Sequence, residues 1–383
     1  MCTGVGQYAK TNWPFIDTYI RQVITKSRYS IALNSRHKRQ SATRTQYCRH
    51  RRTMAEHILI TGAGGFIGQA LATSLLEDKN VRRLILTDVL PPKVPTKSAP
   101  VDISTFAADL TDPETCSRLI TPEVTTIYLL HGIMSGQAEA DLELGLRVNI
   151  DSMRFITDAI RKQQDQRSKP IRVVFPSSLA VFGPAKENEV VTENTMPLPQ
   201  SSYGAEKSIT EILLNDFSRR GLLDARIVRL PTIIVRPGKP TGAASSFFSG
   251  IIREPLNGER STLPVSRDLK AWVCSSRTVI RNLVKAKDIP EAKFQGASRI
   301  VNLPGKTVSI EEMLDSLRVV GGEKAVELVQ ERHDEKVSSI VGSWPANFNT
   351  TRARELGFDE DVELEQAFRD YIEDYMPKAN GGR

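Results

Sequence analysis

Long apolar runs and closely spaced cysteines are both missing from this sequence. No stretch of about 18 apolar residues occurs, so we expect no membrane span. The 383 residues include four cysteines, at Cys2, Cys48, Cys116 and Cys274, and no pair has the C-x-x-C spacing of zinc sites or redox dithiols. We therefore predict no metal site, and reduced thiols in a reducing compartment.

Acidic side chains are almost absent from residues 1–53, where Asp17 stands against 11 lysines and arginines, a net charge of +10. Residues 54–383 hold 41 basic and 44 acidic side chains, a net charge of −3. The overall charge of +7 therefore belongs to the first segment. Because the rest lacks a basic excess, we expect no nucleic-acid partner.

The basic segment over residues 1–53 also lacks the apolar core of a secretory signal. Three interpretations stay open: a mitochondrial presequence, a disordered basic arm, or a stretch upstream of a true start at Met54. We treat residues 1–53 as an extension outside the fold. The expected location is the cytoplasm, or the mitochondrion if the extension is a real presequence.

From residue 54 onward, apolar segments of strand length alternate with amphipathic segments of helix length. Such alternation is typical of a parallel sheet covered by helices on both faces. With right-handed crossovers it predicts a Rossmann-type, doubly wound α/β fold. Strands are predicted at 57–61, 84–88, 103–107, 126–130, 172–176 and 225–230, and helices at 66–76, 142–162, 203–219, 310–320 and 364–375.

Three glycines follow the first predicted strand with the spacing G-x-x-G-x-x-G. Glycines so placed allow a tight turn, a close approach of a pyrophosphate, and close packing of the next helix on the sheet. The N-terminus of that helix offers unpaired N–H groups to phosphate. Because the string lies between a strand and a helix, it predicts a dinucleotide site at Gly62, Gly65, Phe66, Ile67 and Gly68.

The following strand ends supply further candidates for the cofactor site. Asp88 lies 20 residues after the last glycine, where a carboxylate accepts ribose hydroxyls and repels a 2′-phosphate, so we predict NAD rather than NADP. Asp109 and Leu110 follow the third strand and are expected near the adenine, with helix capping as the alternative role of Asp109. Leu130 ends the fourth strand beside the cofactor groove. We interpret the adjacent His131 as a packing or hydrogen-bonding residue rather than a catalyst.

The body is predicted to have two parts, because the alternation of strands and helices changes after Leu230. Residues 54–231 are predicted to form an NAD-binding domain. Residues 231–263 are rich in proline, glycine and serine and are expected to cover the carboxyl edge of the sheet, where such folds bind ligands. We therefore predict a smaller C-terminal region over 232–383 that mainly binds substrate, with some segments returning to the Rossmann core.

A Y-x-x-x-K element at the start of a predicted helix puts Tyr203 and Lys207 on one helical face. An ammonium one turn away favours the phenolate, so we expect Lys207 to lower the pKa of Tyr203 and to hold the nicotinamide ribose. Ser178 follows the fifth strand, where a hydroxyl can bind the substrate oxygen, and Ser177 competes for that role. With the glycine string, these residues predict a catalytic group of Ser178, Tyr203 and Lys207.

Over about residues 56–375 these motifs resemble those of the extended short-chain dehydrogenases/reductases, the NAD-dependent epimerase/dehydratase family. In that family the catalytic serine lies five residues before the glycine of an S-x-x-V-Y-G stretch, which corresponds to Ser178 before Gly183. The sugar-nucleotide branch usually has R-x-x-N-x-x-G-P after the sixth strand. Here Thr232 replaces that asparagine and Phe182 replaces the tyrosine of V-Y-G, which argues against a UDP-sugar substrate.

Residues 230–256, with LPT, RPGKP, AASSFFS and REPL, more narrowly resemble the D-erythronate dehydrogenase branch. The resemblance implies oxidation of the 2-hydroxyl of a small sugar acid to a 2-oxo acid, with NAD as oxidant and the tyrosine as general base. Arg236 and Arg253 are candidates for the substrate carboxylate, with structural ion pairs as the alternative. Ser135 and Gln137 are candidates for the substrate hydroxyls, with a polar loop that binds no ligand as the alternative.

Two other functions stay open at this stage. One is an epimerase or dehydratase that keeps NAD bound and returns the hydride to its substrate. The other is a non-catalytic sensor that binds NAD without turnover. The family also implies a homodimer through the helices predicted at 142–162 and 203–219.

Overall fold

The computed structural model describes residues 55–96, 98–186, 189–240, 242–294 and 298–376, which belong to one compact unit. The extension predicted over residues 1–53 lies outside the described residues. Within the described ranges, no helix combines the length and the apolar character that a membrane crossing requires.

A seven-stranded sheet, parallel throughout, forms the centre of the fold. Numbered in chain order, its strands are β1 (Glu56–Thr61), β2 (Val81–Asp88), β3 (Asp102–Ala107), β4 (Thr126–Leu129), β5 (Ile171–Ser178), β6 (Leu223–Leu230) and β10 (Ile300–Asn302). They lie in the order β3-β2-β1-β4-β5-β6-β10. The order reverses between β1 and β4, the switch point where doubly wound sheets bind ligands. The predicted Rossmann-type α/β fold is confirmed.

Helices cover both faces of this sheet and bury a separate apolar core on each. On the first face lie α1 (Phe66–Leu75) and α8 (Ser276–Asp288), and on the second lie α2 (Pro113–Leu119), α5 (Ser152–Lys162) and α6 (Ser202–Arg219). The strand β1 shows the division, because Ile58 and Ile60 join the first core and Leu59 joins the second. Burial on both sides explains why the strands are continuous apolar runs.

The remaining elements form a smaller region, most of which shares a third core around Phe248, Leu314 and Phe368. Its strands are β7 (Thr232–Ile234), β8 (Ser261–Leu263), β9 (Lys270–Ser275), β11 (Lys306–Ser309) and β12 (Val329–Glu331), paired as β11-β9-β7 and β12-β8. Its helices are α7 (Ser246–Leu256), α9 (Ile310–Gly321), α10 (Glu323–Glu327), α11 (Glu335–Gly342), α12 (Thr351–Leu356) and α13 (Leu364–Tyr375). Short 3-10 turns lie at Gln164–Gln166, Leu179–Val181 and Glu291–Phe294.

The helix predicted over residues 142–162 is confirmed, with a π-helical segment in its middle. After α3 (Ser135–Ala140), the chain forms α4 (Leu142–Gly145), then a π-helical segment (Leu146–Asp151), and only then α5. Asn149 lies in this segment, and its side-chain amide accepts the N–H of Ile133 at 2.9 Å and donates to the Ile133 carbonyl at 3.1 Å. These bonds fasten the helix to the loop after β4. Such π-bulges are frequent at functional sites.

Candidate active site

One cavity of about 640 Å³ opens at the carboxyl edge of the central sheet, over the switch point. Every residue predicted to bind the cofactor or substrate, or to act in catalysis, lines its wall. These residues are Gly62, Gly65, Phe66, Ile67, Gly68, Asp88, Asp109, Leu110, Leu130, Ser135, Gln137, Ser178, Tyr203, Lys207, Arg236 and Arg253. The fold therefore gathers segments that lie far apart in the chain.

The glycine turn has the shape that a pyrophosphate requires. Gly62 has a left-handed backbone with φ +65°, and a Cβ there would lie 2.5 Å from the backbone nitrogen of His131. At Gly68 a Cβ would lie 2.5 Å from the Gly62 carbonyl oxygen, so glycine lets α1 pack against the turn. The N-cap Gly65 has no side-chain cap and no neighbour closer than 3.4 Å to such a Cβ. The N–H groups at the start of α1 are therefore open to a phosphate.

The carboxylates at the ends of β2 and β3 have different local roles. Asp88 accepts the backbone N–H of Gly64 at 3.0 Å, which places its negative charge beside the glycine turn. This arrangement fits a ribose with two free hydroxyls and disfavours a 2′-phosphate. Asp109 accepts the N–H of Thr111 at 2.9 Å. The helix α2 is capped by Asp112, so the alternative role of Asp109 as the helix cap is wrong.

His131 lies between two hydroxyl groups at the end of β4. Its Nδ1 is 2.7 Å from Thr61 Oγ1, and its Nε2 is 2.8 Å from Ser152 Oγ. Burial, and to a smaller extent the charge of Lys207, lowers the pKa of His131 to about 3. The ring is neutral at pH 7 and both of its nitrogens are engaged. This geometry agrees with the interpretation of His131 as a hydrogen-bonding residue.

The predicted catalytic side chains meet on one wall of the cavity. Tyr203 and Lys207 begin α6, with Lys207 Nζ 5.6 Å from the centroid of the Tyr203 ring. Lys207 is buried, and its ammonium donates to the carbonyl of Pro176 at 3.1 Å, near the end of β5. Ser178 lies close enough to Tyr203 to lower the pKa of its phenol. That proximity favours Ser178 over Ser177, whose buried hydroxyl has no partner among the described residues.

The structure contradicts the expectation that Lys207 lowers the pKa of Tyr203. Burial raises the pKa of Tyr203 to about 12, and the charge of Arg236 and the polar side chain of Ser178 oppose this rise. Burial also lowers the pKa of Lys207 to about 8, so its side chain is still mostly an ammonium at pH 7. Arg236 is the cation that favours the phenolate.

The two arginines predicted to bind a carboxylate differ in whether an acidic side chain already pairs with them. Arg253 is buried, donates to the carbonyl of Arg236 at 2.8 Å, and pairs with Glu254. Arg236 is half-buried, and no acidic side chain of the described residues comes within ion-pair distance of it. Removing a charge from water without a counter-ion is costly. Arg236 is therefore the better candidate for an incoming anion.

Ser135 and Gln137 line the cavity from the helix α3, which follows β4. Ser135 is buried, and its oxygen accepts the N–H of Ala244 at 3.1 Å, which fastens α3 to the loop before α7. Its hydroxyl proton remains able to meet a ligand. Gln137 is exposed at the rim, and its amide has no hydrogen-bond partner among the described residues.

Sequence reasoning missed several wall residues. Trp344, after α11, and Met134, before α3, line the cavity, but no local motif marks either of them. Lys239 also lines the rim and is exposed. It lies three residues after Arg236 in the R-P-G-K-P stretch, so the motif that pointed to Arg236 could have indicated a second cation as well.

A family model and two relatives match most of the chain. The model described as "NAD dependent epimerase/dehydratase family" matches residues 58–307. The chain is 41% identical over 327 residues to the D-erythronate dehydrogenase of Cupriavidus necator, which covers 83% of this chain and 98% of that protein. It is 40% identical over 318 residues to the D-erythronate dehydrogenase of Haemophilus influenzae, covering 82% and 98% respectively.

Solved structures share the same architecture. A structure described as the nucleoside-diphosphate-sugar epimerase from Agrobacterium tumefaciens is 37% identical and superposes with a TM-score of 0.79, covering 89% of this chain and 98% of that one. The L-threonine 3-dehydrogenase from Trypanosoma brucei superposes with a TM-score of 0.72 at 23% identity, covering 83% and 96%. At that identity the second likeness concerns the fold alone.

Proposed function

We propose that this chain, which belongs to the NAD dependent epimerase/dehydratase family, oxidises the 2-hydroxyl of a small sugar acid of the D-erythronate type to a 2-oxo acid. The observation that carries the proposal is Arg236, a half-buried cation without an acidic partner among the described residues, acting on Tyr203. A substrate carboxylate needs such a cation, whereas a neutral sugar does not.

The residues around the glycine turn fit NAD. We assign the pyrophosphate to the turn of Gly62, Gly65 and Gly68 and to the start of α1 at Phe66 and Ile67. We assign the adenosine ribose to Asp88, the adenine to Asp109 and Leu110, and the inner part of the groove to Leu130. When bound, NAD supplies the hydride acceptor and a positively charged ring.

The chain supplies the proton chemistry. As the C–H hydrogen leaves the substrate with its electron pair, Tyr203 takes the proton of the hydroxyl, and a carbonyl forms at that carbon. Ser178 holds the oxygen through this change. Lys207, fixed by the carbonyl of Pro176, is placed to hold the nicotinamide ribose. Because burial disfavours the phenolate, Arg236 and Ser178 have to offset that burial.

The position of Arg236 also favours oxidation at carbon 2. In a 2-hydroxy acid, the reacting hydroxyl is on the carbon next to the carboxylate. A carboxylate bound by Arg236 therefore leaves its neighbouring hydroxyl close to the tyrosine that Arg236 itself influences. Ser135 and Gln137, which line the same cavity from α3, are assigned to the more distant hydroxyls.

A nucleotide-sugar epimerase is the second candidate, because the 37% identical Agrobacterium structure is described as one. An epimerase returns the hydride, so NADH does not accumulate. Against this candidate, the buried Thr232 stands where the sugar-nucleotide branch has an asparagine. The complete set of Ser178, Tyr203 and Lys207 argues against a sensor that only binds NAD.

A substrate screen distinguishes these functions. The full chain is mixed with NAD and, separately, with aldonic acids of four to six carbons, the matching neutral alditols, and UDP-sugars. We expect NADH absorbance to rise with one or more acids, D-erythronate among them, and not with the alditols. Conversion of a UDP-sugar without net NADH, together with no response to any acid, would contradict the dehydrogenase.

We also propose a homodimer. The helix α6 leaves Ile209 and Ile212 49% and 69% exposed. The neighbouring helix, at its start, leaves Leu142 and Leu146 55% and 39% exposed. Adjacent apolar side chains on two helices are typical of a surface that a partner covers. Sedimentation analysis should give a dimer that Ile212→Glu dissociates. A wild-type chain that remains monomeric at micromolar concentration would exclude it.

A further inference from the structure

The backbone just before Arg236 is strained. Val235 has φ 51°, and it is the one non-glycine residue of the described part of the chain with a positive φ. A β-branched side chain rarely adopts this conformation, because its Cβ crowds the backbone. Val235 is also only 2% exposed, so the turn is held inside the protein. Strain of this kind persists only where the surroundings hold it.

The helix α7 supplies the groups that hold this turn. Ser249 is fully buried, and its hydroxyl oxygen accepts the backbone N–H of Arg236 at 3.0 Å. The same oxygen lies 3.5 Å from Nε of the Arg236 side chain. Four residues later, Arg253 donates to the carbonyl of Arg236 at 2.8 Å. A spacing of four puts both residues on one face of the helix.

The charges in this arrangement are not equivalent. Glu254 pairs with Arg253, so the charge of Arg253 is balanced inside the protein. Arg236 has no such acid among the described residues, and its charge is directed at the cavity and at Tyr203. Ser249 and Arg253 of the helix therefore bond mainly to the backbone of Arg236, and its guanidinium remains available to a ligand.

We propose that Ser249 is a positioning residue which, together with Arg253 and the strained Val235, fixes the guanidinium of Arg236 at the substrate carboxylate and so selects hydroxy acids over their neutral analogues. The inference rests on the proposed function. Arg236 contacts the substrate, and Ser249 acts only through Arg236. Without the serine hydroxyl, the strained turn loses a bond that holds it and relaxes, which moves the guanidinium away from the reacting hydroxyl.

The test compares a charged and a neutral substrate in the full chain. Ser249→Ala is assayed with NAD and either D-erythronate or its amide, which keeps the 2-hydroxyl and lacks the charge. We expect kcat/KM for the acid to fall about tenfold, mainly through KM, which corresponds to about 1.4 kcal/mol. The value for the amide should fall clearly less, because both substrates depend on Arg236 to favour the Tyr203 phenolate but only the acid pairs its charge with Arg236. The Kd for NAD should stay within about twofold.

The control is Ser316→Ala, which also removes a buried serine hydroxyl, one bound to Glu365 on another helix of the same region. Ser316→Ala should leave the ratio of kcat/KM for the acid to kcat/KM for the amide at its wild-type value. Ser249→Thr, which keeps the hydroxyl, should retain most of that ratio. An unchanged ratio in Ser249→Ala would overturn the positioning role while the proposed function stands. A wild-type chain that turns over no sugar acid would overturn the proposed function and this inference with it.

Discussion

The carboxylate of Asp88 and the backbone N–H of Gly64 are joined by a hydrogen bond of 3.0 Å. This bond connects the end of β2 to the glycine turn that follows β1. The same carboxylate therefore has two tasks, because it shapes the turn and presents a negative charge to the ribose. The two tasks are separable, since an amide oxygen can accept the Gly64 bond without carrying a charge.

We predict that Asp88→Asn changes the choice of cofactor while keeping the turn. Loss of the charge should weaken NAD about tenfold and improve the relative use of NADP by a factor on the order of 100, because a hydrogen bond to a charged group contributes about 1.5–3 kcal/mol. Steady-state kinetics with both cofactors measures the ratio. Asp102→Asn, on an exposed part of β3, serves as the control, and an unaltered NAD-to-NADP ratio in Asp88→Asn would contradict the assignment.

We predict that Arg236→Ala lowers kcat/KM for a sugar acid by about 100-fold or more, because a charge-assisted pair is lost. Millimolar guanidinium chloride should restore part of the activity by filling the vacated place. The control Arg260→Ala removes an exposed cation of the same region. It should not lower kcat/KM, and guanidinium should not raise its activity. Assays with and without guanidinium make the comparison, and an Arg236→Ala protein with near-normal kcat/KM would exclude the carboxylate site.

The sheet and the motifs could be predicted because they depend on local sequence. Strands buried on both faces are apolar runs, as Ile58, Leu59 and Ile60 show, and the glycine spacing is complete within one turn. The π-helical segment that contains Asn149 could not be predicted in this way. In this segment the Asn149 side chain bonds to the backbone of Ile133, which lies in the loop after β4, and local sequence does not indicate such a contact.

The pKa values of the catalytic residues could not be predicted from the sequence, because they depend on burial in the folded protein. The spacing of Tyr203 and Lys207 suggested an ammonium acting on a phenol, but the pattern contains no information on burial. Burial raises the pKa of the tyrosine and lowers that of the lysine. The opposing charge comes from Arg236, which follows a later strand. Trp344 likewise reaches the cavity through tertiary packing alone.

We predict that the pair of Glu211 and Arg229 stabilises the helix that carries the catalytic tyrosine. Two bonds of 2.8 and 2.7 Å join these side chains, which are 1% and 3% exposed, between α6 and β6. Glu211→Ala leaves a buried arginine unpaired and should cost about 3–5 kcal/mol of unfolding free energy. Replacing both, with Glu211→Leu and Arg229→Met, should cost clearly less. Denaturant unfolding measures the stability of the single and the double variant. A double variant less stable than the single one would refute this account.

We predict that His131 makes the protein less stable in acid. Its pKa is about 3 in the folded protein and near 6.5 when unfolded. Below pH 6.5 the unfolded chain binds a proton that the folded protein does not, so stability falls by up to about 1.4 kcal/mol per pH unit until the pH approaches 3.

The variant His131→Gln should flatten this dependence. Between pH 7 and pH 4.5, its loss of unfolding free energy should be smaller than that of the wild type by about 2 kcal/mol. His333→Gln, at an exposed position, should follow the wild-type curve. Parallel curves for His131→Gln and the wild type would show that the folded protein binds the proton as readily as the unfolded chain.

The most direct measurement is NADH formation from NAD and D-erythronate by the full wild-type chain and by Tyr203→Phe, with NAD affinity determined for both. We predict steady accumulation of NADH by the wild type. The variant should lose at least about 1,000-fold in turnover, because it lacks the proton acceptor, while its Kd for NAD changes by no more than about twofold. A wild type that forms no NADH, or a Tyr203→Phe protein that forms it at a near-normal rate, would contradict the account.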